Sequence, residues 1–269
     1  MTVAKIRIEG VSKSYTPETV ALERIDLELA ANSFTCLLGP SGCGKSTLLN
    51  MIAGFVAPTH GRVLVDDIEV VSASADRGVV FQEYALFPWR TVQDNIKYGL
   101  EEKGVPRDEV ERAVQKYLHL MGLQGFQHKY PRELSGGMKQ RVALARTLAY
   151  EPDVLLMDEP FGALDAQTRE LQQDELLAIW REKKSTVLFV THSVEEAVYL
   201  SEKVVVMTTR PGRIKSVIDI DLDRSRHRED VVTSPEFAQL KNRVWLDVRE
   251  EVLKHYAASA DQTSGDRTG

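Results

Sequence analysis

Long apolar runs are missing from this chain. No stretch of its 269 residues approaches 18 consecutive apolar side chains, so no segment is expected to span a bilayer as a helix. Cysteine is nearly absent: Cys36 and Cys43 are the whole complement, which excludes a disulfide framework and reads as a cytosolic redox setting. The seven-residue gap and the place of Cys43 in a glycine-rich loop argue against a bridge between them. Positive charge is in deficit. Lys and Arg number 34 against 40 Asp and Glu, a formal net charge of −6. That balance disfavours non-specific nucleic-acid binding as the main task, while leaving room for a local basic patch. The first residues, Met1 to Ile8, alternate like a strand and lack the apolar centre of a signal peptide. Internal repeats and long low-complexity segments are missing too. The remainder, 43% hydrophobic and 28% charged, is ordinary globular composition, ample for one large core or a core with a smaller appended subdomain.

One stretch organises the rest. Gly39, Pro40, Ser41, Gly42, Cys43, Gly44, Lys45, Ser46 and Thr47 fit the spacing G-x-x-x-x-G-K-[ST]. They lie between a short apolar run of strand character, Phe34–Leu38, and a run that suits a helix, Leu48–Ala53. Strand, glycine turn and helix start is the context that gives the spacing meaning. The glycines let successive backbone N–H groups converge on one anion, and the helix N-terminus adds partial positive charge. Lys45 can reach the β- and γ-phosphates, and the Ser46 hydroxyl can ligand Mg²⁺. A bound nucleoside triphosphate is the expectation.

Alternation over Lys5–Ile8 and Ala21–Leu29 predicts half-buried antiparallel strands, with Tyr15 at a strand end shortly upstream of the glycine loop. Short apolar runs at Arg62–Val65 and Gly78–Phe81 predict further strands, the second ending at Gln82. From Glu83 the character changes. Tyr84, Phe87 and Trp89 gather around Pro88 without strand alternation, and two helical stretches come next. In the second, Val110, Ala113, Val114, Tyr117, Leu118 and Met121 recur at helical spacing. Residues 84–150 therefore read as a helical insertion in an α/β domain. Buried-strand runs at Val154–Met157 and Thr186–Val190 end in Asp158-Glu159 and in Thr191-His192. Apolar strands tipped with polar residues and alternating with helices indicate an open parallel sheet that binds its ligand beyond those tips. After the turn Arg210–Gly212 comes a charge-dense stretch, 223–230. Ser234 as N-cap then starts a helix with Phe237, Leu240, Val244, Val248 and Val252 on one face. From Ala257 the small polar residues read as a frayed tail.

Two carboxylates at the tip of a buried strand are costly without a task. Asp158 can hold Mg²⁺, directly or through water, and Glu159 can polarise a water in line with the γ-phosphate. An acidic pair capping a helix is the plainer alternative. Ser135, Gly136 and Gly137 carry the features of a second anion site, a hydroxyl and two glycine N–H groups at a helix start. One triphosphate does not need two glycine cradles in one subunit. Either the second binds something else, or it closes over the nucleotide of another subunit, or it is a hinge. Taken alone, His192 reads as a structural histidine and Gln82 as a solvated polar residue; their shared place at strand tips makes both candidates.

In order, then, the chain carries an aromatic (Tyr15), the glycine loop (Gly39–Thr47), Gln82, Leu134-Ser135-Gly136-Gly137-Met138, Val154–Glu159, Ala163-Leu164-Asp165 and His192. From about Lys5 to Arg213 this resembles the ATP-binding subunit of an ABC transporter. The elements correspond to the adenine loop, Walker A, Q-loop, signature, Walker B, D-loop and switch histidine of that family. Met138 departs from the glutamine most often found after the two glycines. The resemblance implies an α/β fold: a P-loop NTPase core with a parallel sheet, an antiparallel β subdomain and a helical signature subdomain. The ATPase domain would fill residues 1–220, a short helical extension 221–256 and a flexible tail 257–269. It also implies that two subunits pair head to tail, each nucleotide lying between Walker A of one and the signature of the other. The signature helix then supplies in trans the charge stabilisation that an arginine finger supplies elsewhere. By the same resemblance Tyr15 stacks on adenine and Gln82 touches Mg²⁺ and senses the γ-phosphate. Lys45 and His192 contact the γ-phosphate, and Asp165 bridges the subunits.

Within the family, Leu86–Asn95, Arg210–Ile214 and Ser234–Ala238 look most like nitrate/sulfonate/taurine-type importers. The implied assembly is a homodimer, or a heterodimer with another ATPase subunit, held by permease subunits at the cytoplasmic face of the membrane. It would be served indirectly by an extracytoplasmic solute-binding protein, and would bind no nucleic acid. The aromatic segment 84–89 would dock a cytoplasmic helix of the permease. A soluble ABC ATPase for DNA maintenance or cofactor assembly is the rival reading; its DNA-repair members would need a long coiled-coil or zinc insertion between Walker A and the signature, where only a modest helical segment stands. A non-hydrolytic regulator is a second, disfavoured by Glu159 and His192. Because Cys43 sits in the phosphate loop, alkylation of its thiol is expected to block ATP binding. For Glu159→Gln, ATP binding is expected to persist while hydrolysis stalls and an ATP-bound dimer accumulates; normal steady-state turnover would remove Glu159 from the role of base.

Overall fold

The computed structural model describes residues 4–223 and 227–265, with side chains as far as Lys254. Along the chain run β1 (Ala4–Thr16), β2 (Thr19–Ala30), β3 (Phe34–Leu38), α1 (Lys45–Ala53), β4 (His60–Val65) and β5 (Ile68–Glu69). Then come β6 (Arg77–Val80), α2 (Val92–Glu102), α3 (Arg107–Leu120), a 3-10 turn (Pro131–Glu133), α4 (Gly136–Ala149), β7 (Val154–Asp158) and α5 (Ala166–Lys183). The rest is β8 (Thr186–Thr191), α6 (Val194–Leu200), β9 (Lys203–Met207), β10 (Ile214–Asp219), α7 (Arg228–Val232) and α8 (Pro235–Gly265). The chain forms two compact units. One holds the residues up to Ser74 and those from Thr186 onward; the other is Ala75–Ser185.

The first unit contains an antiparallel sheet in the order β2-β1-β4-β5. Period-two alternation does what it should: Ile6, Ile8 and Val11 are buried, while Arg7 pairs outward with Asp67 and Glu9 with Arg62, each at 2.8 Å. The β1–β2 register slips between Ile8 and Val11, where Gly10 takes φ +57°. Its N–H donates to the Asp26 carboxylate at 2.7 Å and holds that acid below its ordinary value.

The same unit carries the parallel strands. β3 pairs with β8 on one side and β9 on the other, and β10 closes antiparallel on β9. Strands covered on both faces read as continuous apolar runs, and every residue of β3 and β8 is buried. The Phe34 and Phe189 rings meet at 5.9 Å in this core. The register Leu38↔Thr191 and Leu38↔Val206 brings three strand tips level. That alignment places the loops leaving β3, β8 and β9 at one end of the sheet.

In the second unit β6 and β7 pair in parallel, with Val80 beside Met157. Residues 84–150 hold α2, α3, the 3-10 turn and α4. From α3 the Tyr117 hydroxyl donates to the Leu148 carbonyl on α4 at 2.9 Å, and burial pushes this phenol up. β6 ends at Val80, so Gln82 comes after the strand rather than closing it.

Helix α8 starts as its sequence indicates, with Ser234 Oγ accepting from the Phe237 N–H at 3.2 Å. Phe237 and Val244 are buried; Leu240, Val248 and Val252 are half-buried. The same face holds a residue that the apolar pattern passes over: Glu251, 2% exposed. Burial alone would raise its carboxyl, but Lys254 at 2.9 Å, the Thr209 N–H at 3.1 Å and Lys215 at 3.2 Å bring it below its ordinary value. Beside it, bonds from Lys215 and then Lys254 lower exposed Glu250 to about 2. Where fraying was expected from Ala257, the helix continues to Gly265; 266–269 and 224–226 lie outside the described residues.

These shifts set the acid behaviour. A carboxylate whose folded pKa is depressed contributes stability that is complete above its unfolded pKa and is lost as pH falls through the folded value. For Glu250 the window runs from 4.5 down to about 2. Docking of α8 is expected to weaken across that window, read as a change in Trp245 fluorescence ahead of the loss of helical circular dichroism. Coincident transitions would contradict it.

Candidate functional site

The phosphate loop leaves β3 at Gly39 and enters α1 at Lys45. Two left-handed residues shape it, Gly42 at φ +75° and Gly44 at φ +99°. At Gly44 a Cβ would also lie 2.5 Å from Leu22 Cδ2, so both conformation and space exclude a side chain. Lys45, 7% exposed, folds back into the loop. Its ammonium donates to the carbonyls of Gly39 at 2.8 Å and Pro40 at 3.0 Å, with Cys43 Sγ at 3.9 Å. A full positive charge is thus concentrated inside a concave backbone loop at a helix N-terminus, a setting made for phosphate. Ser41, Gly42 and Ser46 are exposed around it.

Cys43 departs from expectation. The residue is 1% exposed, and burial pushes its thiol up, only partly opposed by the Lys45 charge. Ready alkylation requires an accessible thiolate, so the thiol is a poor probe of this loop.

Tyr15 lies at the end of β1 and is 56% exposed. Its hydroxyl is 3.4 Å from Thr47 Oγ1 in the first turn of α1, and Lys13 sits 5.2 Å from the ring centroid. An open aromatic face therefore stands beside the phosphate loop. His192 comes directly after Thr191 at the tip of β8, level with Gly39 at the tip of β3, and is exposed. Its turn is locked by neighbours. The Thr191 hydroxyl donates to Glu196, Ser193 N–H donates to Thr191 Oγ1 at 3.0 Å, and Ser193 caps α6.

One wall of the loop was not legible as a site element. Gly212, from the turn between β9 and β10, exchanges backbone bonds with Ala21 at 2.9 Å and Glu23 at 3.0 Å. A Cβ on it would overlap the Cys43 carbonyl. Thr209, in the same turn, is the residue held by Glu251 of α8. The C-terminal helix thereby braces the back of the phosphate loop through residues 209–212.

In the second unit the register Val80↔Met157 carries Gln82 and the Asp158–Glu159 pair to the same strand ends. Glu159 adopts φ +47°, left-handed for a residue with a full side chain. The Gln140 side chain donates to its carbonyl at 3.2 Å. Ser135 caps α4, accepting from the Met138 N–H at 3.3 Å, and Ser135 and Gly136 are exposed at its N-terminus. Gly137 packs against the next loop, where an added Cβ would stand 3.1 Å from Leu164. Asp165 caps α5 through the Thr168 N–H at 3.0 Å, which lowers its carboxyl.

The segment 84–89 is also built, not loose. Buried Asn95 accepts from the Phe87 N–H at 2.9 Å and donates to the carbonyls of Phe87, Arg90 and Thr91. Arg146 donates to the Ala85 carbonyl at 2.6 Å and lies 5.4 Å from the Phe87 ring. Phe87 stacks edge-on to Tyr98 at 4.7 Å, whereas Trp89 stays 72% exposed.

A family model described as "ABC transporter" matches residues 22–162. The chain belongs to the ABC transporter family. It is accordingly an ATP-hydrolysing subunit of that family, with the matching fold. Its relatives include a nitrate import ATP-binding protein of Synechococcus elongatus, 48% identical over 82% of each chain. A taurine import ATP-binding protein of Roseobacter denitrificans is 46% identical, over 87% of this chain and 89% of that one. Among solved structures it is similar to a dimeric ATP-binding cassette in a post-hydrolysis state bound to ADP and Pi. That likeness has TM-score 0.73 and 31% identity over 80% of this chain and 99% of the other.

Of the expected site residues, the first unit gathers Tyr15, Gly39–Thr47 and His192. The second contains Gln82, Ser135–Gly137, Asp158 and Glu159. Gln140, Asn95, Arg146, Gly212 and Glu251 went unread, because each acts through long-range contacts to backbone or to single charged groups, which leave no periodicity. Replacing Gly212 with Ala drives a methyl into the Cys43 carbonyl. Since a misplacement of about 1 Å can cost about 10²-fold in rate, Gly212→Ala is expected to lower ATP turnover by up to that factor in a hydrolysis assay, with the fold kept.

Proposed function

We propose that this ABC subunit hydrolyses ATP to power import of a small anion of the nitrate, sulfonate or taurine class through a separate permease. The observation that carries the chemistry is the buried Lys45 ammonium inside the left-handed glycine loop. The import reading is supported by relatives named for taurine and nitrate import.

Each residue has a role that its surroundings suit. Tyr15 offers an open ring to the adenine beside Thr47. The N–H groups of 39–47 and Lys45 hold the phosphates. The Ser46 hydroxyl, the Gln82 side-chain oxygen and the Asp158 carboxylate are each oxygen donors of the kind hard Mg²⁺ takes; these residues would hold the ion, which would supply neutralisation of phosphate charge. Glu159 takes the proton of the attacking water, and His192 contacts the γ-phosphate. Ser135, Gly136 and Gly137 present a hydroxyl and N–H groups at the N-terminus of α4 to the nucleotide of a second subunit, paired head to tail.

Transport needs a mechanical contact. Trp89 projects from a loop fastened by Asn95 and Arg146, and an exposed indole on a rigid base is the kind of anchor that partner helices seat on. Closure of two subunits on ATP pulls that anchor, and hydrolysis releases it. The working position is the cytoplasmic face of the membrane, held by the permease. Among the described residues no helix is long and apolar enough to cross a membrane.

Purification from its own membranes is expected to recover a multispanning protein with this chain; recovery of soluble partners alone would sink the proposal in favour of a maintenance or assembly ATPase. Trp89→Ala is expected to keep ATP hydrolysis by the purified subunit, lose that co-purification and abolish growth on the imported sulfur or nitrogen source.

A further inference from the structure

The signature helix and Glu159, the residue that follows β7, are joined by one side chain. Gln140 lies on α4, about a turn from its N-terminus, and is 2% exposed. Its amide is used at both ends. Nε2 donates to the Glu159 carbonyl at 3.2 Å, and Oε1 accepts from the Ala163 N–H at 3.0 Å. Between those anchors lies the first part of the link from β7 to α5.

That link needs holding. Glu159 sits at φ +47°, a conformation that disfavours any residue with a Cβ and persists only where surroundings over-determine it. Its carbonyl also accepts from the Gly162 N–H at 3.1 Å, so one strained peptide is held by two donors. Glycine would adopt this backbone freely, yet a carboxylate stands there. The direction in which that carboxylate leaves the strand is set by the left-handed turn.

We propose that Gln140 is a positioning residue for hydrolysis: its amide fixes the left-handed peptide of Glu159 and the Ala163 N–H, and so aims the Glu159 carboxylate. This rests on Glu159 being the base. Gln140 is buried and spends both ends of its amide on backbone groups, so it acts through the backbone. Its place on α4 has a second consequence. Any shift of the helix whose N-terminus holds Ser135–Gly137 moves the Glu159 peptide with it, so one subunit's grip on its neighbour's nucleotide is transmitted to its own base.

Two variants of the full-length chain separate the contacts. Gln140→Met keeps the volume and removes both bonds; Gln140→Glu keeps the acceptor for Ala163 and loses the donor to Glu159. Both are expected to lower kcat about tenfold or more while KM for ATP and the melting temperature stay close to wild type, which a purely structural role would not produce. Glu159→Gln is measured beside them. If it retains turnover, the base assignment fails. If it stalls while both Gln140 variants keep kcat within about twofold of wild type, Gln140 is not a positioning residue. Loss of folded protein in both variants, or a rise in KM matching the fall in kcat, makes Gln140 a framework residue and overturns the proposal too.

Discussion

A positive charge buried among carbonyl oxygens is the constraint on which the rest depends. Lys45 loses most of its water at 7% exposure, and the Gly39 and Pro40 carbonyls replace it only if the loop holds its shape. That shape requires left-handed backbone at Gly42 and Gly44, strands that end level, and a wall behind Cys43. The fully buried strands beneath are the foundation: β3 and β8 place Gly39 and His192 side by side, and β9 leads into the turn that backs the loop.

Much of this was legible because it is periodic or local. Continuous apolar runs announced the parallel strands, alternation announced the antiparallel ones, and the glycine spacing announced the loop. Ser135 and Ser234 were readable as caps because capping depends on neighbours three residues away. The unread parts are the long-range polar contacts. Glu251 breaks an apolar face that the sequence otherwise writes clearly, because it is buried with two lysines and the Thr209 N–H rather than among aliphatics. Asn95 interrupts α2 in the same way, trading apolar packing for four bonds to one loop. Cys43 shows the opposite error. Its place in a catalytic loop suggested reactivity, but loop membership does not determine exposure, and this side chain faces inward.

The contacts that sequence passes over share a pattern. Gln140, Arg146 and Asn95 each hold a backbone carbonyl of a loop that carries a candidate site residue, and none needs to touch a ligand. The proposed base Glu159 and the proposed anchor Trp89 sit on short segments whose conformations are irregular. Buried amide and guanidinium groups give those segments the definition that a regular ladder gives a strand.

The left-handed peptide at Glu159 has an evolutionary corollary. Placing a long side chain there costs stability that glycine or asparagine would recover, since both occupy that region more easily. Selection for thermal stability alone therefore pulls this position away from glutamate. On the proposed role of Glu159 as the base, a carboxylate stands here at a conformational cost that glycine would not carry, and turnover rather than folding accounts for it.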